Sequence, residues 1–221
     1  MDGTGNLLVE FSRLLPNETR REVPIFLKDK VLSYDDLIKT VRHICEDFQP
    51  EVILAESFST PLAIRIAAER PKNLKAVILC VGFAASPVRG LIRWVCWILA
   101  PLLMRVPLSK SLIRSWLVGA DATEEHVEAV RETISSVNPG VLAARLRAIL
   151  ECDVRSLLSE IGLPMLYLRA RQDRLVKQRS LQEIQRRKTD IQIVTLDGPH
   201  FLLQREPERA AEIVRDFLCR F

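Results

Sequence analysis

Apolar positions along this chain follow two rhythms. Residues 52–54, 74–81 and 164–170 are apolar at nearly every position, which predicts short strands buried on both faces of a parallel sheet. Residues 191–196 alternate apolar with polar and predict a further strand, and residues 23–27, led by Pro24 and closed by Lys28-Asp29-Lys30, predict one that ends at the surface. Between these runs the spacing becomes helical. Residues 7–15, 62–68 and 206–221 carry apolar side chains at helical intervals, and 177–187 forms a highly charged helix. Ser33 ahead of Tyr34, Asp35 and Asp36 reads as an N-cap with acids in the first turn, opening a helix that runs to about Phe48. Strand and helix in turn, at this spacing, predict an α/β fold: a mostly parallel central sheet flanked by helices.

The rhythm breaks at Ser86-Pro87. From 86 to 159 no strand is legible, only helical segments interrupted at Pro101, Pro107, Gly119 and Asn138-Pro139-Gly140. The chain therefore divides into an α/β core, residues 1–85 and 160–221, and a helical cap or lid, residues 86–159. The cap opens with the apolar stretch 91–104, which holds Trp94 and Trp97 and has Arg89, Arg93, Arg105, Lys110 and Arg114 around it. It falls short of the roughly 20 residues a membrane span needs. Two uses are open to it: packing on the core or lining an acyl pocket, with Trp94 and Trp97 as substrate-binding surfaces, or peripheral contact with a membrane surface.

Composition changes this picture little. The 221 residues are 48% apolar and 27% charged, enough for one substantial core, and the net charge of +4 is dispersed, which gives no support for nucleic-acid binding. Five cysteines, Cys45, Cys80, Cys96, Cys152 and Cys219, lie far apart with no secretory signal before them and point to reduced thiols in a cytoplasm. Three histidines, none at metal-ligand spacing from a Cys or another His, predict no metal site, and no cofactor is called for.

Candidate chemistry sits where strands end. The strand at 52–54 turns sharply into the helix at 62–68, with Ser57 at the apex and the small residues Ala55 and Ser59 two positions either side. The strand at 164–170 runs into a loop bearing Asp173, and that at 191–196 into Asp197-Gly198-Pro199-His200. Because ligand crevices in parallel sheets lie beyond the carboxyl ends of strands, Ser57, Asp173 and His200 should converge on one edge. Each alone has a plainer reading: Ser57 or Asp173 as a helix cap, His200 as a turn residue.

Taken together, an Asp-Gly-Thr-Gly loop, the AESFS turn, a cap after the next strand, the QDRLV acid loop and the DGPHFLL loop resemble the α/β-hydrolase superfamily over nearly the whole chain. The resemblance implies that Ser57 attacks an acyl carbon, that His200 carries the proton and that Asp173 orients it, with oxyanion donors from the N–H of Phe58 and from the loop at Met1 and Asp2. It implies a serine hydrolase of a carboxylic ester or similar small acyl substrate. Acyl transfer to an alcohol is a variant, and a non-catalytic binding protein of the same fold is the alternative. The superfamily also places a central strand before the oxyanion loop, between those matching 23–27 and 52–55. The expectation is that the full protein carries roughly 10 to 25 residues ahead of Met1, enough for a typical strand, the competing reading being a naturally reduced sheet with an impaired oxyanion hole.

Overall fold

The computed structural model describes residues 2–220. Its sheet has four parallel strands in the order β1 (Val52–Glu56), β2 (Ala76–Cys80), β3 (Met165–Ala170) and β4 (Gln192–Leu196). Registers such as Leu54 with Ile78, Ile78 with Leu166 and Leu166 with Gln192 bring all four carboxyl ends to one edge. The helices are α1 (Val9–Arg13), α2 (Tyr34–Phe48), α3 (Thr60–Ala68), α4 (Leu91–Leu103), α5 (Lys110–Ile113), α6 (Glu124–Ser135), α7 (Pro139–Glu151), α8 (Gln178–Gln185), α9 (Leu202–Arg205) and α10 (Pro207–Leu218).

The period-two geometry of a strand divides the core into two layers. Ile78, Cys80, Leu166 and Leu168 face α1 and α10, meeting Phe11, Ala210, Val214 and Phe217. Val77, Leu79, Met165 and Tyr167 face the other way onto α3 and α8, against Ala63, Ile64, Ala67, Leu181 and Ile184. Every residue of β2 is buried, as its unbroken apolar run requires. Each such aliphatic side chain contributes about 1.5–3 kcal/mol relative to exposure. Helix α2 starts with the expected cap: Ser33 Oγ accepts from the Asp36 N–H (3.2 Å), and the Asp36 carboxylate accepts from the Ser33 N–H (3.2 Å). Its buried face, Leu37, Ile38 and Val41, covers α3.

The sequence expectation fails at 23–27. These residues form no strand, and Ile25 and Leu27 stand exposed. An apolar run becomes a strand only when its backbone finds a ladder, and here the bonds go elsewhere. The Phe26 N–H donates to the Gly3 carbonyl (2.8 Å), while the carbonyls of Leu27 and Lys28 accept from Arg145 (2.9 Å) and the Asn138 N–H (2.9 Å). β1 is consequently an edge strand among the described residues, with Val52, Ile53 and Leu54 only half-buried.

After β2 the chain leaves for the helical excursion and returns to its point of departure. The Ser86 N–H donates to the Cys152 carbonyl (2.9 Å) and the Val154 N–H to the Ala84 carbonyl (2.7 Å), closing α4 to α7 into one insertion. Helices α5 and α6 share a small core of Ile113, Val118, Val127 and Val130, and α4 lies against α7.

Candidate active site

Ser57 leaves β1 with φ 49, a left-handed conformation that a serine adopts only under constraint. Neighbouring side chains supply that constraint. Ser59 Oγ donates to the Glu56 carbonyl (2.8 Å) and accepts from the Glu56 N–H (3.1 Å), stitching the turn across its base. The fully buried Thr60 hydroxyl donates to the Ser57 carbonyl (2.7 Å) and accepts from the Phe83 N–H (3.1 Å). Thr60 fits there because residue 82 is glycine: a β-carbon on Gly82 would stand 2.6 Å from the threonine methyl. On the outer side the Phe58 ring stacks on Tyr34 with centroids 4.9 Å apart, and the Tyr34 hydroxyl donates to the Phe58 carbonyl (2.8 Å).

The three residues singled out in the sequence meet. Ser57 Oγ is 2.8 Å from His200 Nε2, and His200 Nδ1 is 2.9 Å from Asp173 Oδ2. A carboxylate only accepts, so the imidazole proton sits on Nδ1 and leaves Nε2 to accept from the serine hydroxyl. The side chains of His200 and Asp173 are 5% and 4% exposed, which keeps water from competing for that pair. Asp173 is itself fixed, because its Oδ1 accepts from the N–H groups of Leu175 (2.8 Å) and Val176 (2.9 Å). The helix-cap reading of Asp173 fails, since the next helix begins at Gln178 with Lys177 as its N-cap; one oxygen of Asp173 instead holds its own loop in a turn, and the other faces the histidine. The helical insertion touches the segment that carries His200: the Phe201 N–H donates to the Leu117 carbonyl (2.9 Å), and Arg205 of α9 pairs with Asp121 (2.8 Å).

Asp2 accepts from the Thr4 N–H (2.9 Å) and hydroxyl (2.7 Å), folding the start of the Asp-Gly-Thr-Gly loop into a turn with Gly3 at φ 73. Arg145, on α7 and 2% exposed, donates to the Asp2 carbonyl (2.7 Å) and so ties this loop to the helical insertion. Met1 lies outside the described residues. Trp94 stands 59% exposed. Trp97 turns to α7, where its Nε1 donates to Glu151 and Arg147 lies 4.4 Å above the ring. A cleft of about 200 Å³ opens behind Asp173, between Tyr167, Val176 and Leu181, and neither tryptophan borders it. Among the other histidines, His43 pairs with Asp47 on the surface of α2, and His126 meets Thr123 and Arg205. Among the described residues no three Asp, Glu, His or Cys side chains gather as a metal site.

Sequence reasoning missed four residues of this site: Tyr34, Thr60, Gly82 and Arg145. Only Gly82, directly after a buried strand, left a readable sign, since glycine there marks a close approach. Glu56 was passed over as well. Its oxygens accept from the Leu203 N–H (3.5 Å) and from Gln204 Nε2 (3.0 Å). Burial pushes its carboxyl above the ordinary range, and the Gln204 bond and the nearby His200 only partly oppose this.

The family profile of serine aminopeptidases, S33, matches residues 27–208. The chain belongs to that family. It is thus an α/β-hydrolase enzyme, and its parallel sheet and order of loops agree with the class. Solved structures share the fold. A hydrolase from Oleispira antarctica superposes with TM-score 0.84 at 13% identity, over 100% of this chain and 89% of that one. A thermophilic esterase from Thermogutta terrifontis gives 0.82 at 20% identity, over 97% and 85%. An enol-lactonase from Burkholderia xenovorans gives 0.69 at 19% identity, over 85% and 74%. No curated protein sequence matches the chain significantly.

Proposed function

We propose that this α/β-hydrolase cleaves a carboxylic ester or related acyl substrate through Ser57, His200 and Asp173 by way of an acyl-enzyme. The observation that carries the reading is the unbroken relay of 2.8 Å and 2.9 Å from a serine held at positive φ to a buried carboxylate. A serine hydroxyl is a weak nucleophile at neutral pH, so His200 Nε2 takes its proton as Oγ bonds to the acyl carbon. The proton then passes to the departing alkoxide as the ester bond breaks. Water, deprotonated by the same nitrogen, releases the acid and restores Ser57. Asp173 holds the ring and stabilises the transient imidazolium. The oxyanion of each tetrahedral intermediate would be met by the N–H of Phe58, which follows the nucleophile, and by the loop at Asp2 that Arg145 anchors.

The family description speaks of peptides, whereas solved relatives are described as an esterase and a lactonase. An aminopeptidase needs an anion for the substrate's ammonium group. Glu56, the carboxyl adjoining Ser57 in the chain, turns inward to Leu203 and Gln204 and so offers no free carboxylate beside the nucleophile, which favours the ester reading. The test compares kcat/KM for p-nitrophenyl esters and aminoacyl p-nitroanilides, with Ser57→Ala as control. Ester turnover that vanishes in the variant, with a transient acyl adduct on the Ser57 peptide by mass spectrometry, supports the reading. Turnover confined to the anilides refutes it. Adding a short alcohol to the ester assay reports transfer against hydrolysis.

A further inference from the structure

Helix α4 is built inside out. Its inner side carries Cys96, Trp97 and Ala100 toward the protein, while Leu91 (80% exposed), Val95, Ile98 (64%), Leu99 and Leu102 (62%) form a continuous apolar row facing solvent. Trp94 extends that row, and Val106 continues it past the helix end, also exposed. An apolar surface of this extent on one helix marks a place where something docks. The helix spans about 20 Å. No helix among the described residues is long and apolar enough to cross a membrane.

Charge selects the occupant. Residues 86–120 contain five basic side chains and no Asp or Glu. Arg89 pairs with Glu183, and Lys110 and Arg114 pair with Glu124, all acids from outside the segment. Arg105 has no ion pair among the described residues, and Arg93, half-buried, brings its guanidinium 5.7 Å from the ring of Trp94 at the edge of the apolar row. A second copy docking by this face about a two-fold axis would set arginine against arginine. An anionic bilayer meets both features: acyl chains accept the apolar row, and headgroup phosphates accept the arginines at its rim. Tryptophan at that depth is the residue type bilayer interfaces favour.

We propose that the outward face of α4 docks the protein on the surface of an anionic lipid bilayer, with Leu91, Trp94, Val95, Ile98 and Leu102 in the interface and Arg93 and Arg105 at the phosphates. The test is sedimentation of the full chain with vesicles of phosphatidylcholine alone or mixed with phosphatidylglycerol. It is run alongside light scattering, for the wild type, for Ile98→Glu with Leu102→Glu, and for Arg93→Ser with Arg105→Ser. Wild type should pellet with the anionic vesicles. The first variant should lose at least about tenfold in partition, because two interfacial side chains are removed. The second should lose about fivefold per arginine. Both should keep a wild-type melting curve and ester turnover. Raising salt from about 0.1 M to about 1 M, which shortens the Debye length from about 10 Å to about 3 Å, should release the wild type. Absence of pelleting with anionic vesicles, pelleting indifferent to both variants, or a stable dimer that the first variant dissolves and that ignores vesicles would each overturn the proposal. Should the glutamate variant fail to fold, the arginine variant decides alone.

Discussion

Replacing Asp173 by Asn isolates what its charge does, because the two side chains share a shape. Asp173 is committed on both oxygens: Oδ1 accepts two backbone N–H bonds at 2.8 Å and 2.9 Å, and Oδ2 faces His200 Nδ1 at 2.9 Å. An amide has one acceptor. If its oxygen is turned to His200, its NH₂ meets the two donors of Leu175 and Val176, leaving both unmet at about 1–3 kcal/mol each. The favoured arrangement therefore keeps oxygen on the backbone and aims NH₂ at Nδ1. That nitrogen must then accept, the ring proton moves to Nε2, and the atom that should take the Ser57 proton already holds one. Wrong-tautomer enzymes of this kind lose about 10⁴-fold in kcat, equivalent to about 5.5 kcal/mol of transition-state stabilisation. The assay is steady-state hydrolysis of a p-nitrophenyl ester by wild type and Asp173→Asn, with thermal melting to show that the backbone turn persists. A variant within tenfold of wild type, and equally folded, would refute the argument.

Other outcomes follow from the packing around the site. Gly82→Ala puts a β-carbon 2.6 Å from the methyl of buried Thr60, so it should cost about 1–3 kcal/mol, lower the melting temperature by several degrees and reduce turnover. An unchanged melt would show that Thr60 has room to move. Burial raises the Glu56 carboxyl above its ordinary value of 4.5, so the stability it allows is fully present below that value and is lost as pH rises through the folded value. Glu56→Gln should therefore gain melting temperature relative to wild type as pH climbs from about 4.5, and a difference that stays flat would contradict this. Burial pushes the Cys152 thiol up to about 12 and Cys80 well above its usual range, whereas Cys219 is exposed. Ellman's reagent should react with Cys219 in the native protein and reach Cys80 and Cys152 only on unfolding.

The parts of this fold legible in the sequence are those decided by local pattern. The run at 76–80 is apolar at every position because both its faces are covered, and Ser33 and Asp36 spell out their capping box. The three loops of the site could be read because each follows a strand, and parallel strands deliver their ends to one edge. Residues 23–27 show the limit. Their composition suits a strand, but a strand exists only with a partner, and Arg145 of the distant helix α7 and Asn138, its N-cap, take the backbone groups a ladder would have used. Helix α4 shows another limit. Periodicity reports that one side is apolar without saying whether that side faces in. Thr60 and Arg145 were invisible for the same reason, since a buried hydroxyl bonded across 23 residues or an arginine reaching back 143 carries no local mark.

Whether Ser57 is an activated nucleophile can be read by labelling with a fluorophosphonate probe. The probe forms a stable bond only to a serine whose proton is being withdrawn. One adduct per chain is expected on the Ser57 peptide, absent in Ser57→Ala and strongly slowed in His200→Ala, with His43→Ala and His126→Ala labelling as wild type. Labelling that persists in Ser57→Ala, or a folded wild-type chain that takes up no probe, would contradict it.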